Sequence, residues 1–335
     1  GVSVFTGTPT LSSSPITRFS INNANMFVGG DYGIAHGVIN LGYADSNAWA
    51  AADSGLTSAG GVFLDEAYLN LYNFNSQYPV YLRMGKFYNA YGQYNPYAQI
   101  PSLTDLIEAV NATGVEAGYI YSAGGTNFIV NASAFNGVRS GDSSVSNYSV
   151  NAGLHGSFGP SVSYALDGGW IAKASDFYYR GADDGGSPYY TGNAFNVHLG
   201  MGYQNFTAGV KWAMIDSNIA GFTKGGNNTG VNDPWALTVD AGYAMTLMQK
   251  KSLLGVTYQM SSNAGETSIS GSFPGLHMPK YRVGANFMMQ LNQYFNAGLT
   301  YMYSKDYAHN PSDVSKSSGT GSSNNIVGLR MGLSF

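Results

Sequence analysis

The last eleven residues, Asn325-Ile326-Val327-Gly328-Leu329-Arg330-Met331-Gly332-Leu333-Ser334-Phe335, alternate strictly. Val327, Leu329, Met331, Leu333 and Phe335 fall on one face, and Gly328, Arg330, Gly332 and Ser334 on the other. Successive side chains of a strand point to opposite sides, so this pattern makes a β-strand with one apolar and one small or polar face.

The pattern recurs through the chain. Tyr281, Val283, Ala285, Phe287 and Met289 oppose Arg282, Gly284 and Asn286, and Phe295, Ala297, Leu299, Tyr301 and Tyr303 oppose Asn296, Gly298 and Thr300. Trp235, Leu237, Val239, Ala241 and Tyr243 oppose Thr238, Asp240 and Gly242. Phe195, Val197, Leu199, Met201 and Tyr203 oppose His198, Gly200 and Gly202, while Phe206, Ala208, Val210 and Trp212 oppose Gly209 and Lys211. Each segment is about ten residues long, the length a tilted strand needs to cross a bilayer.

Composition separates a membrane barrel from a soluble sandwich. Only 10% of the 335 residues are charged and 45 are glycine, whereas soluble domains carry roughly 25% charged residues and about 7% glycine. A sandwich would fill its solvated faces with Lys and Glu; here those faces carry Gly, Asn, Ser and Thr. The apolar faces end in Tyr, Trp or Phe near the turns, as interfacial girdles do. No apolar run approaches the roughly 20 residues of a membrane helix. The expected fold is all-β, a transmembrane antiparallel barrel occupying residues 1–335 as a single domain.

Tight and long connections alternate. Tight ones fall near Asp31-Tyr32-Gly33, Asn75-Ser76-Gln77-Tyr78, Ala123-Gly124-Gly125, Gly159-Pro160, Gln204-Asn205, Gln249-Lys250-Lys251 and Asn292-Gln293. Long Gly/Ser/Asn-rich ones lie near 45–61, 91–111, 137–146, 175–192, 216–232, 262–278 and 305–322. Outer-membrane barrels have short periplasmic turns and longer outside loops, which assigns the two ends. Fifteen strands fit from about residue 18 onward, and an even number requires one more, supplied by residues 1–8. The expectation is therefore sixteen strands, with fourteen and an N-terminal tail as the fallback.

The alternation turns Glu66, Arg83, Glu116, Asp167, Lys173, Lys211, Asp240, Arg282 and Arg330 inward. A charge facing lipid at mid-depth costs several kcal/mol, so energy agrees with periodicity. These residues either brace the wall as ion pairs or form a field that selects solutes. The third outside loop, 91–111, is long, with Tyr88, Tyr91, Tyr94 and Tyr97 three apart. Long ordered loops are usually functional. This one is expected to fold inward as a constriction that presents Asp105 and Glu108 towards Arg83; the alternative is an interfacial tyrosine belt on the rim.

Other chemistry is poorly supported. There is no cysteine, which removes disulfides, thiolate metal sites and thiol nucleophiles. His36, His155, His198, His277 and His309 lack metal-ligand spacing, and no phosphate-binding glycine loop is present. With no catalytic constellation to name, a non-enzymatic protein without cofactor or metal is expected. A net charge of −4 offers no basic stripe for nucleic acid.

The block Val62-Phe63-Leu64-Asp65-Glu66-Ala67-Tyr68-Leu69-Asn70-Leu71, followed by Pro79-Val80-Tyr81-Leu82-Arg83-Met84-Gly85-Lys86-Phe87-Tyr88-Asn89-Ala90-Tyr91-Gly92, resembles the LbtU family of siderophore porins, which includes the FslE and FupA type iron-uptake proteins. The likeness is strongest over about 60–120. It implies a barrel that passes ferric siderophore or iron without a cofactor of its own. Energised receptors need about 22 strands around a plug, so transport through sixteen would be passive or depend on another protein. A general diffusion porin for small polar solutes, and an adhesive or structural surface barrel with a blocked lumen, are the competing readings. The expected location is the outer membrane of a Gram-negative bacterium. The expected partners are outer-membrane lipid and lipopolysaccharide, a small solute such as ferric siderophore, and the barrel-assembly machinery through Phe335.

Overall fold

The computed structural model describes residues 2–6, 19–44, 61–73, 79–89, 97–98, 100–108, 110–136, 145–177, 190–216, 233–264, 278–308 and 320–333. Along it run β1 (Val2–Thr6), β2 (Phe19–Tyr32), β3 (Ala35–Ala44), β4 (Gly61–Tyr72), β5 (Val80–Tyr88), β6 (Asn111–Ala123), β7 (Thr126–Asn136) and β8 (Val145–Phe158). Then follow β9 (Val162–Phe177), β10 (Tyr190–Tyr203), β11 (Phe206–Asp216), β12 (Trp235–Leu247), β13 (Lys250–Ser262), β14 (Tyr281–Gln290), β15 (Phe295–Lys305) and β16 (Ser323–Leu333). A single helical turn, α1 (Asp105–Glu108), sits between β5 and β6. The sixteen strands form one sheet in sequence order, each antiparallel to the next. β1 lies alongside β16, so the two ends of the sheet meet. Sixteen strands, and not fourteen, describe the sheet, because residues 2–6 pair with 19–24 of β2.

The sheet is inside-out relative to a soluble protein. Val197, Leu199, Met201, Val210 and Val239 are exposed, while their inward neighbours His198, Lys211 and Asp240 are buried. Burying one such apolar side chain is worth about 1.5–3 kcal/mol, so a continuous exposed band of them is stable only against lipid. The chain is an outer-membrane β-barrel.

Hairpin turns fix the register. Gly124 and Gly125 both have positive φ, the type I′ geometry whose twist matches the flanking strands. Met248 and Gln249 adopt the same geometry, with φ of 50° and 61°, without a glycine. That turn sits one residue earlier than its charged neighbours Lys250 and Lys251 suggest, and both lysines pair within β13.

One irregularity re-aims side chains near the lumen. Across β3 and β4, Asn40 pairs with Glu66 but Leu41 pairs with Leu64, so Asp65 is an extra, bulged residue. Its carboxylate accepts from Asn40 Nδ2 at 2.9 Å, Tyr88 Oη at 3.0 Å and Asn111 Nδ2 at 3.2 Å. It thereby fills the seam above Ala67 and Lys86, where the β4–β5 ladder ends.

Candidate functional site: the loop-lined lumen

Inward positions of neighbouring strands fall into rows. His198 of β10 pairs with Lys211 of β11, Lys211 with Thr238 of β12, Thr238 with Gln259 of β13 and Gln259 with Arg282 of β14. This row receives the segment between β5 and β6. Ser102 Oγ lies 2.6 Å from Thr238 Oγ1, and the Leu103 amide donates to Gln259 Oε1 at 3.1 Å. Gln259 Nε2 donates to the Pro101 carbonyl at 3.1 Å, and Arg282 Nη1 reaches the same oxygen at 3.5 Å. Lys211 Nζ lies 3.5 Å from Asp105 Oδ1. One step along the strand, the Ala98 amide donates to Asp240 Oδ2 at 3.3 Å.

The loop fits because the wall beneath it is glycine. On Gly209 a Cβ would come 2.8 Å from the Tyr97 ring, on Gly255 2.6 Å from Ala98 Cα, and on Gly284 2.7 Å from Ile100 Cδ1. Tyr97 also covers Gly200 and Gly242. Five glycines on five consecutive strands, β10 to β14, thus form a shallow seat. Above it Leu103, Ile107 and Val110 join Phe135, Ile171, Ala213, Ile215 and Met278 in the buried apolar cluster. The main apolar core therefore involves both the loop and the wall.

The charges divide accordingly. Asp105 meets Lys211, not Arg83 as the sequence suggests, because the loop crosses to β10–β14. β5 and β11 are six strands apart, about 29 Å round the wall. Arg83 instead donates from Nε to Asn70 Oδ1 at 2.9 Å and lies 3.7 Å from Glu116 Oε1. Its guanidinium covers the rings of Tyr68 and Phe87, 5.1 and 5.4 Å from their centroids, which favours the charge. Tyr81 Oη donates to the same buried Glu116 at 3.1 Å.

Glu108, the last residue of α1, is wholly buried instead of facing the lumen as a charge. Neither carboxyl oxygen makes a geometrically sound hydrogen bond among the described residues, although Thr104 and Asn196 stand beside it. Burial, with the neighbouring Asp105 adding to it, pushes its carboxyl up to about 8.

Of the other inward positions, Glu66 Oε1 lies 3.5 Å from the Tyr88 amide. Asp167 of β9 is 2.6 Å from His155 Nε2 and 3.2 Å from His198 Nδ1. Arg330 of β16 pairs across from Gly298. The side chain of Lys173, residues Tyr91 and Tyr94, and Phe335 lie outside the described residues. Among the described residues no cluster of three or more His, Asp or Glu could hold a metal.

Strict alternation places Asn196 and His198 on the polar face without giving them a role, and it does not single out Asp65 or His155. Asp65 is hidden by its bulge. The two histidines stand on β8 and β10 and converge only on Asp167 of the intervening β9. The glycine seat did leave a signal, since Gly200, Gly209, Gly242, Gly255 and Gly284 all occupy the polar face of alternating segments.

No protein-family model matches the chain. No curated protein matches it either. Solved outer-membrane barrels do match in fold. OprB of Pseudomonas putida superposes with a TM-score of 0.60 at 11% identity, covering 100% of this chain and 92% of that one. OmpF of Salmonella typhi in complex with daunomycin gives 0.58 at 12% identity over 98% and 95%. A mutant of the Rh. blastica porin gives 0.51 at 12% identity over 100% and 97%. The described strands share the fold of these barrels.

Proposed function

We propose that the chain is a passive outer-membrane channel whose bore is narrowed by the segment 97–108. The observation that carries this is the loop itself, seated on the inner wall of a sixteen-stranded barrel by the glycine track and the Asp105–Lys211 pair. Barrels of this size enclose an aqueous path rather than a side-chain core, and an inward loop sets the width of that path. Its walls carry Asn, Ser, Thr and charged groups, the lining a hydrated solute requires.

The solute we infer is a ferric siderophore, entering by diffusion. The supporting feature is the block that resembles siderophore porins. Its two halves form β4 and β5, and their inner faces bring Glu66, Tyr68, Arg83 and Phe87 to one stretch of wall. A guanidinium among aromatic rings suits a solute that carries both negative charge and planar groups.

The test is planar-bilayer conductance of the refolded protein with ferric siderophore titrated onto one side. Stable open steps with saturable block, weakened by Arg83→Ala, are expected. Open steps indifferent to siderophore would leave a general diffusion porin. No steps at all would leave a barrel with a blocked lumen.

A further inference from the structure

Glu108 has no role in a wall that merely conducts. Its carboxyl is fully buried and both its oxygens lack a sound hydrogen bond, as do both side-chain polar atoms of buried Asn196 next to it. An ionised carboxylate in that position would be costly, because burial without compensating partners disfavours the charged form. The groups packed around it are few. Asp105 shares its helical turn, Thr104 precedes it, Asn196 faces it from β10, and Lys211, the ladder partner of His198, faces it from β11. Lys211 is already engaged by Asp105, His198 by Asp167, and Asp240 of β12 by the Ala98 amide. Burial and the adjacent carboxylate both act to keep the proton on Glu108, against the weaker opposing pulls of Lys211, Thr104 and Asn196.

We propose that Glu108 is the positioning residue of the constriction loop: its protonated carboxyl seats α1 against β10 and β11, and loss of that proton loosens the seat and widens the lumen. This rests on the channel reading only for its consequence; the docking itself is a property of the loop.

The sign follows from linkage. A carboxyl whose docked value is raised from 4.5 to about 8 favours docking most at low pH. Between those values the lifted loop releases the proton that the docked loop keeps. The ratio of docked to lifted loop then falls ~10-fold per pH unit. Above about 8 both forms are ionised and the ratio levels off.

Docking is read without any current in the refolded barrel carrying Ala98→Cys. Ala98 is fully buried, and the chain has no other cysteine. Its labelling rate by a thiol reagent, corrected for the thiolate fraction, is expected to rise between pH 4.5 and 8 and then level. With Glu108→Gln added, the rate is expected to stay at its low-pH value throughout. Equal pH profiles with and without Glu108→Gln would overturn the proposal. Bilayer conductance of the cysteine-free pair, with and without Glu108→Gln, is expected to follow the same profiles. Absence of open steps alongside pH-dependent labelling would overturn the channel reading and leave the catch standing. As a check on folding, Ser102→Cys with Thr238→Cys, whose hydroxyls lie 2.6 Å apart, should lock the loop. The locked conductance is expected to be pH-independent until reduction restores the slope, and a slope that survives the lock would also overturn the proposal.

Discussion

Lys211 and Asp105 meet at 3.5 Å across the seam between barrel wall and loop, with the lysine side chain 2% exposed and the aspartate 28%. The asymmetry sets what each contributes. Lys211 is an ammonium taken almost wholly out of water, so it needs its partners; Asp105 can fall back on hydration.

Removing the lysine should therefore free the loop without unfolding the barrel. Lys211→Met is expected to weaken loop docking by about 2 kcal/mol, the scale of one charge-assisted hydrogen bond. Limited proteolysis of the refolded protein should then cut within 97–108 faster, while the thermal midpoint of the β-signal stays within a few degrees. A collapse of the barrel transition would place Lys211 in the wall's stability instead.

Filling the glycine seat should lift the loop by sterics alone. Gly255→Val puts methyl groups where Ala98 Cα now lies, 2.6 Å from an added Cβ. Larger single-channel steps are expected than in the parent. Gly30→Ala, where an added Cβ meets nothing within 4 Å, should leave the steps unchanged. Equal steps in Gly255→Val and the parent would mean that the seat does not set the bore.

The lipid-facing assignment makes an energetic prediction. Leu199 is exposed and its neighbour His198 is buried inward. Leu199→Lys is expected to lower refolding stability in vesicles by about 2–4 kcal/mol, measured by urea titration. The same substitution on a water-exposed face would cost under about 0.5 kcal/mol.

On β5, Arg83 neutralises a carboxylate that has no exposure of its own. Arg83→Met leaves buried Glu116 accepting from the Tyr81 hydroxyl but without the guanidinium beside it. A loss of about 2–3 kcal/mol is expected, below the range for breaking fully buried pairs because the arginine is 24% exposed. Adding Glu116→Gln should recover part of it in a double-mutant cycle; independent, additive losses would show that the two do not act as a pair.

The barrel was legible because a lipid-facing strand writes its environment in every second residue. Val197, Leu199 and Met201 alternate with His198, Gly200 and Gly202, and no tertiary knowledge is needed to place them. Even β1 followed from the evenness of closed barrels. What local pattern cannot carry is contact between distant segments. Asp105 lies 106 residues from Lys211 and 22 from Arg83, and nothing in either spacing says which cation the loop will reach. The bulge at Asp65 shows a second limit. One inserted residue shifts the phase between Leu64 and Glu66, and strict alternation then misassigns the residue between them.

An aqueous path narrowed by the loop at 97–108 passes solutes only up to a size that the loop sets. Liposome swelling with neutral solutes of graded size tests it most directly, comparing the parent with a variant lacking residues 97–108. Entry of small solutes with a size cut-off is expected in the parent, and a larger cut-off in the variant. No swelling with any solute in either protein, or the same cut-off in both, would contradict it.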